Sequence, residues 1–492
     1  MTLWKILWRF LLWFLTLFMS IEFRTVLRLL KPYGLQLAMG LVVFFHHPHP
    51  ARGACTGSSP NWTAQTWADL ATCHTNASNG DTITVTAGTY NVTAQTTVTK
   101  YVKIIMGGTV TLTDSICTGA CTTTYLIDIT ESTAGSTKLQ GPLNINNSGL
   151  AGYHSAPAGV VGVEYTSGGK PVLITDVHWD ETTGQWGHGD FLAIHGNRGV
   201  LWNNSAKGWA GGDATCSNNS SFVRHKWTGG AIANWETPSK WGNTDTNGDQ
   251  NLYIEDNTLI NVNEGIDVDD DGRAVIRHNS ITNSGTETHG VDTSGLMGGR
   301  YIDYDHNTFI RDTTWPGGNC PAGYTMNMQS FIGIRGGTAI IHDNVIPDIN
   351  DMAWGDKPEV SFFLEEIRRA DGLYPCWMGG YPAPHNTGWG WINGTGNSYT
   401  YGDKSGTGTQ DIEPIYLWNN TGAGNYASPA RVEYTPNVCG AMAPSVVDFV
   451  QPGRDYYLST AKPGYTPYAY PHPLRNETVA AVGVGSRHVR GR

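Results

Sequence analysis

The sequence predicts an all-β chain wound as a right-handed parallel β-helix, closed at its start by a short capping helix and followed by an extended C-terminal tail. Three observations predict it. A short phrase recurs between Trp202 and Asn420: apolar residue, two mostly polar residues, Asn, small residue, usually an apolar residue. It reads Ile254-Glu255-Asp256-Asn257-Thr258-Leu259, Ile276-Arg277-His278-Asn279-Ser280-Ile281, Tyr304-Asp305-His306-Asn307-Thr308-Phe309 and Ile341-His342-Asp343-Asn344-Val345-Ile346, with looser copies ending at Asn204 and Asn420. The steps between the Asn residues are 22, 28 and 37, the range in which each repeat is one coil of a solenoid that buries its apolar face only against its neighbours. Composition agrees: 61 Gly and only 15% charged residues suit a turn-rich β architecture. The Asn ladder reads as structural, because Asn tolerates the left-handed backbone of a tight corner and its amide can bond the Asn one coil away.

Residues 1–54 differ in kind from the rest. An apolar run from Leu3 to Ser20 is interrupted by Lys5 and Arg9; Arg24, Arg28 and Lys31 then precede a second run from Tyr33 to Phe45. A basic segment, an apolar segment and a small-residue exit make a secretory signal, with Met19 as an alternative start. The expected location is secreted or cell-surface, and membrane contact is expected only through an uncleaved N-terminal segment. Residues 55–130 read as the N-terminal cap and first rungs: Trp67 to Cys73 as a short helix, Asp81 to Tyr90 as the opening strand and turn. A helix is what an open solenoid end needs, since an uncapped rung exposes its core and its unpaired edge. Residues 131–425 form the β-helix proper, with Asn243 to Asp249 and Trp315 to Met328 as loops leaving the rungs. Residues 426–492 are a Pro/Tyr-rich tail packing on the last rungs. All eight cysteines follow residue 54, an even number that in an exported chain favours disulfides; Cys55 with Cys73 and Cys117 with Cys121 are the first pairs expected.

On the strength of Gly80-Asp81-Thr82-Ile83-Thr84-Val85-Thr86-Ala87-Gly88-Thr89-Tyr90 and the Asn ladder, the chain resembles the pectate lyase-like superfamily of right-handed parallel β-helix proteins. Thr288 to Asp292, Glu413 to Asn420 and Gly453 to Pro473 are similar to stretches of exported bacterial β-helix repeat proteins. The resemblance implies carbohydrate handling without naming a reaction, since that superfamily holds lyases, hydrolases, epimerases and non-catalytic adhesins.

The strongest chemical constellation is an acidic run beside a histidine. Counting ten residues past Asn257 and Asn279 places Asp267 and His289 one above the other, about 4.8 Å apart. Asp269, Asp270, Asp271 and Asp292 surround them, and Arg300 approaches from the next coil. Crowded carboxylates repel unless a cation intervenes, and hard oxygen ligands suit Ca2+; Asp267, Asp269 and Asp271 are the expected ligands. The net charge of -11 leaves no electrostatic footprint for nucleic acid and repels an acidic polymer unless a cation bridges them. The chemistry that follows is cation-assisted β-elimination from an acidic extracellular polysaccharide, with His289, Asp292 and Arg300 as catalytic residues. Trp209, Trp235, Trp241 and Trp354, in Gly/Asn-rich stretches, are candidates to stack on sugar faces, and Arg335 to hold a carboxylate. Two rivals stand beside the lyase reading. One is a non-catalytic glycan-binding adhesin; the other is a glycoside hydrolase using paired Asp.

Overall fold

The structure is a computed structural model, and the residues it describes are 55–114, 125–130, 135–146, 159–164, 170–180, 190–195, 198–208, 221–226, 245–248, 250–262, 265–269, 272–288, 299, 301–312, 330–347, 353–354, 357–358, 360–366, 389–391, 410–422, 431–434 and 451–476. Each full coil supplies three short strands. One coil runs Leu252–Glu255, Thr258–Ile260 and Ile266–Asp269; the next runs Arg273–Arg277, Ser280–Thr282 and Thr286–Thr288. Equivalent strands pair in parallel, Ile254 beside Ile276, Leu259 beside Ile281 and Ile266 beside Thr286. The molecule is therefore a parallel β-helix with three faces, named here first, second and third in the order the chain visits them. The first face runs from Asn61–Ala64 to Tyr456–Leu458, and the third is a ten-stranded ladder from Thr96–Val98 to Arg431–Tyr434.

Strand alternation sends every second side chain inward. On the first face, Leu201, Ile254, Ile276, Tyr304, Ile341 and Leu417 occupy one register position on six successive coils and are all buried. Such a column is why the apolar member of the repeated phrase recurs. Each side chain removed from water contributes about 1.5–3 kcal/mol, but only when the neighbouring coil is in place.

The corner after the first face is built by two adjacent residues with different tasks. The repeat Asn is turned inward and wholly hydrogen-bonded. Asn257 donates its backbone N–H (2.9 Å) and its side-chain Nδ2 (3.1 Å) to Asn279 Oδ1. Asn279 does the same to Asn307 at 3.1 and 2.9 Å, and Asn307 to Asn344 at 2.8 and 2.9 Å. Asn204 and Asn420 complete the ladder at its two ends. The left-handed backbone expected of these Asn residues belongs instead to the residue before each of them: Asn203, Asp256, His278, His306, Asp343 and Asn419 have φ between 53° and 55°. The two jobs separate because an inward Asn needs a strand-like backbone to aim its amide along the helix axis, while the reversal of direction takes place one residue earlier.

At the start of the described chain, a 3-10 turn at Trp67–Asp69 leads into the helix Leu70–Asn76, which buries Leu70 and Cys73. Thr66 opens it with a capping box, its backbone N–H donating to Asp69 Oδ2 at 3.0 Å. Cys55 and Cys73 form the expected disulfide; closing a loop of 18 residues contributes about 3 kcal/mol. Cys117 and Cys121 lie outside the described residues, as do residues 1–54. Among the described residues no helix is long and apolar enough to cross a membrane.

The tail reaches much further than the last rungs. Tyr456–Leu458 extends the first face beside Ile415–Trp418, and the chain then runs back over that face. Tyr465 bonds Asp303 and His342, Tyr468 and Ala469 accept from Arg277, and Arg475 pairs with Glu255 and Asp256. Glu255 is fully buried, with Oε1 held by Arg277 Nε at 2.8 Å and Oε2 by Arg475 Nη1 at 3.1 Å and by the His472 backbone N–H at 3.2 Å. A buried carboxylate is tolerable only when paired and hydrogen-bonded in this way. The cover also shields Trp202, Tyr253 and Val275, which form an apolar patch with Tyr468 and Leu474. Asp245, in the segment expected to leave the rungs, anchors this region: its carboxylate accepts from Tyr253 Oη at 2.8 Å and from the Gln250 and Asn251 backbone N–H groups.

Candidate functional site on the third face

Alternation on the third face turns Val223, Ile266, Thr286 and Ile332 inward and leaves the next residue of each strand pointing out. Parallel pairing lines those outward residues up across five coils as Ala193, Arg224, Asp267, Glu287 and Gly333. Three charged side chains thus stand side by side, flanked by residues with little or no side chain. Arg224 Nε lies 3.1 Å from Asp267 Oδ2, and Arg335, just beyond the next strand, lies with Nη1 3.6 Å from Glu287 Oε2. The Arg335 backbone N–H is fixed on Thr288, whose Oγ1 it meets at 2.9 Å. Arg224 is the most open of the four, at 22% side-chain exposure; Arg335 and Glu287 are each at 12% and Asp267 at 0%.

This row corrects the expected stack. Asp267 pairs with Glu287, not with His289. The pairing step is 22 residues at the Asn corner and 20 on the third face, because five residues connect Ile260 to Ile266 but only three connect Thr282 to Thr286. The shorter corner moves the second coil on by two positions and keeps the same side chains outward. Arg224 and Glu287 were not singled out from the sequence. Glu287 was legible in principle, as the outward residue of Thr286-Glu287-Thr288; Arg224 lies 20 residues past its repeat Asn204, where Asp267 lies 10 past Asn257, so the same count does not reach it.

Arg335 is the one expected substrate-binding residue whose side chain the structure describes, and it joins the row. Trp354 falls in the strand Ala353–Trp354, paired antiparallel with Lys357–Pro358, and Asp269 ends the strand that carries Asp267; both are described by backbone alone. His289, Asp292, Arg300, Asp271, Trp209, Trp235 and Trp241 lie outside the described residues. The tryptophans that are described do other work. Trp179 is buried and stacked on Phe191 at 5.1 Å, Trp202 is under the tail, and Trp418 stacks on His342 at 4.6 Å.

Chemically, the row offers two guanidinium groups and two carboxylates along a line parallel to the helix axis. A guanidinium has five N–H donors in a planar fork, enough to hold a second carboxylate beside its partner. Calcium takes six to eight oxygen ligands; Asp267 and Glu287, each facing an Arg, do not form such a shell among the described residues. Behind the row, His225 points into the core, its Nδ1–H donating to the Ile194 carbonyl at 3.1 Å. Burial pulls its pKa down to about 4, so it is a neutral core residue and not a surface base.

No protein-family model matches the chain, and no curated protein matches it. Among solved structures, a mannuronic acid specific polysaccharide family 6 lyase from the human gut microbiota is similar at 12% identity and a TM-score of 0.32, over 63% of this chain and 68% of that one. An alginate lyase from Paenibacillus sp. str. FPU-7 is similar at 12% identity and a TM-score of 0.31, over 77% and 99%. A mutant of the PL6 family alginate lyase AlyGC is similar at 12% identity and a TM-score of 0.28, over 76% and 53%.

Proposed function

We propose that the protein is an exported, carbohydrate-active β-helix that binds an acidic polysaccharide along its third face and cleaves it by β-elimination. The observation that carries this reading is the row Arg224, Asp267, Glu287 and Arg335 on consecutive coils. An extended polymer fits a face that repeats along one axis, and a uronate carboxylate is the natural ligand of a guanidinium fork. The two guanidinium groups each face a carboxylate, so against a chain charge of -11 the row offers an anionic sugar directed N–H donors and not a net positive field.

In this reading Arg335 and Arg224 hold the uronate carboxylate, and Asp267 and Glu287 keep the two guanidinium groups oriented. Neutralising the carboxylate acidifies the proton at C5. A base removes that proton, the electron pair becomes the C4–C5 double bond, and the C4–oxygen bond breaks as the leaving oxygen is protonated. His289, the residue after the strand that carries Glu287, is the proposed proton acceptor. Asp292 and Arg300 are the proposed partners on the leaving side. Because the described carboxylates do not make a calcium shell, no step is routed through an ion, and calcium enters as an arm of the test.

The test is incubation of the full chain with alginate and with polygalacturonate, with calcium and with chelator, following unsaturated sugar ends by ultraviolet absorbance. Elimination predicts rising absorbance that falls about 100-fold or more in His289→Ala, the scale of a lost general base. Reducing ends without absorbance would replace elimination by hydrolysis. Retention of the polymer with no products would make the protein an adhesin.

A further inference from the structure

A second strip of chemistry-bearing side chains lies on the first face, away from the row just described. The left-handed corner residues of two successive coils are His278 and His306, and their rings stack at 5.1 Å with 20° between planes. Beside them, the outward residues at the ends of their strands and the next are Arg277, Asp305 and His342. The ligand-type atoms of His278, Asp305 and His306 all lie within 4.8 Å of one another, and so do those of Asp305, His342 and Asp343. Asp305 belongs to both sets. We propose that this strip is a binding site for one divalent transition-metal ion, centred on Asp305 with His278 and His306 as its imidazole ligands and His342 and Asp343 as the neighbouring donors.

Two further observations point to a cation. Asp303, at 1% exposure, keeps its Oδ1 without a hydrogen-bond partner, 3.7 Å from His342 Nε2. Its other oxygen accepts from Tyr465 at 2.8 Å and Tyr301 at 3.2 Å. Three carboxylates, Asp303, Asp305 and Asp343, therefore crowd around His342 with one buried oxygen unmet, an arrangement that a dication would relieve. The second observation is His278. Its ring is clamped between Tyr470 at 3.6 Å and His306, yet neither ring nitrogen has a hydrogen-bond partner among the described residues. Stacking fixes the ring plane while leaving its nitrogens available, which is how a ligand is pre-oriented.

The donor set selects the ion. Imidazole with carboxylate suits zinc, copper or nickel and not calcium or magnesium, which take oxygen shells. Tetrahedral zinc with ligand bonds near 2.1 Å spaces its ligands about 3.4 Å apart, inside the 4.8 Å that bounds each set; Asp305 and His306, which hydrogen-bond each other directly, part to admit the ion. His306 at 53% side-chain exposure and Asp343 at 33% leave an entry path from solvent, while Asp305 and His342 form a buried floor. Tyr470 rests on His278, and Tyr465 donates to Asp303 and meets His342. The tail is thus the second wall of the site.

The experiment titrates the full chain with Zn2+ against a chromophoric chelator, and separately with Co2+ followed by visible absorption. His278→Ala and His306→Ala are made separately, and far-ultraviolet dichroism confirms that each is folded; His306 is half-exposed, so its loss removes a surface ring contact and no core packing. The segment His46-His47-Pro48-His49 can bind metal on its own, so the reading is the difference between wild type and variant. The expected result is one equivalent fewer, or affinity at least about tenfold weaker, in both folded variants, with a cobalt band present in wild type and missing from His306→Ala. Equal stoichiometry and affinity in wild type and His306→Ala, or no zinc bound by wild type, would overturn the proposal.

Discussion

The single most repeated residue, Asn, shows how one amide can hold a coil. Asn279 Oδ1 accepts from the backbone and side chain of Asn257, while its Nδ2 donates to the Ile254 carbonyl at 2.8 Å and to Asn307 Oδ1 at 2.9 Å. Truncation strands a buried N–H on Asn257 and a buried carbonyl on Ile254, each worth about 1–3 kcal/mol. Asn279→Ala is therefore expected to lower stability by about 3 kcal/mol in urea denaturation; a loss below about 0.5 kcal/mol would show that the ladder is decorative. His225 sets an acid limit. Burial depresses its folded pKa to about 4, below the ordinary histidine value of about 6.5, so as pH falls the unfolded chain takes up the proton first. Its contribution is complete above the upper value and drains away as pH falls through the window between them. Urea midpoints measured across that window should fall in wild type and fall less in His225→Gln; parallel slopes would contradict this. The Asn ladder was legible in the sequence because its period is written in plain repeats. That the left-handed residue precedes the Asn was not, since Asn203, Asp256, His278 and Asp343 share no common chemistry.

At the scale of elements, corner length decides which side chains meet. Counting from Asn257 and Asn279 assumes equal corners, and the two extra residues between Ile260 and Ile266 defeat that count. Asp267 was found, but its neighbours Arg224 and Glu287 were not, because register on the third face is inherited from a turn whose length the repeat does not encode. The tail was harder still. Glu255 and Arg475 are 220 residues apart, and nothing in either segment announces the other. The structure gives that pairing a measurable consequence. Arg277 is almost fully buried and bonds Glu255 and the Tyr468 and Ala469 carbonyls, so Arg277→Met should cost about 3 kcal/mol by leaving Glu255 less than fully paired. Amide exchange between Tyr465 and Arg475 should accelerate in that variant; unchanged protection would mean that the tail is held by its apolar contacts alone. His472 adds a pH sense to the clasp. Burial lowers its pKa, its Nε2–H donates to the Asp245 carbonyl and its Nδ1 accepts from Leu474 N–H. Protonation on acidification removes that acceptor, so the clasp loosens as pH falls below the ordinary histidine range and is intact above it.

For the molecule as a whole, the architecture follows from a sequence period and the proposed function from where coils place charge. The period was enough for the parallel β-helix, because stacking is the only way for Ile254, Ile276 and Ile341 to leave water together. The candidate site was legible only as a class of residues: acidic and basic groups near the middle coils. Register then gathers Arg224, Asp267, Glu287 and Arg335 from segments spread over more than a hundred residues of chain. The proposed function requires that row to be one binding surface for an acidic polymer. The most direct measurement is calorimetric titration of the full chain with a defined uronate oligosaccharide, comparing wild type, Arg335→Ala and Arg224→Ala. We predict measurable binding by wild type and a loss of at least about tenfold in each variant, the scale of one charge-assisted contact. Binding that is unchanged in both variants, or absent from wild type, would contradict it.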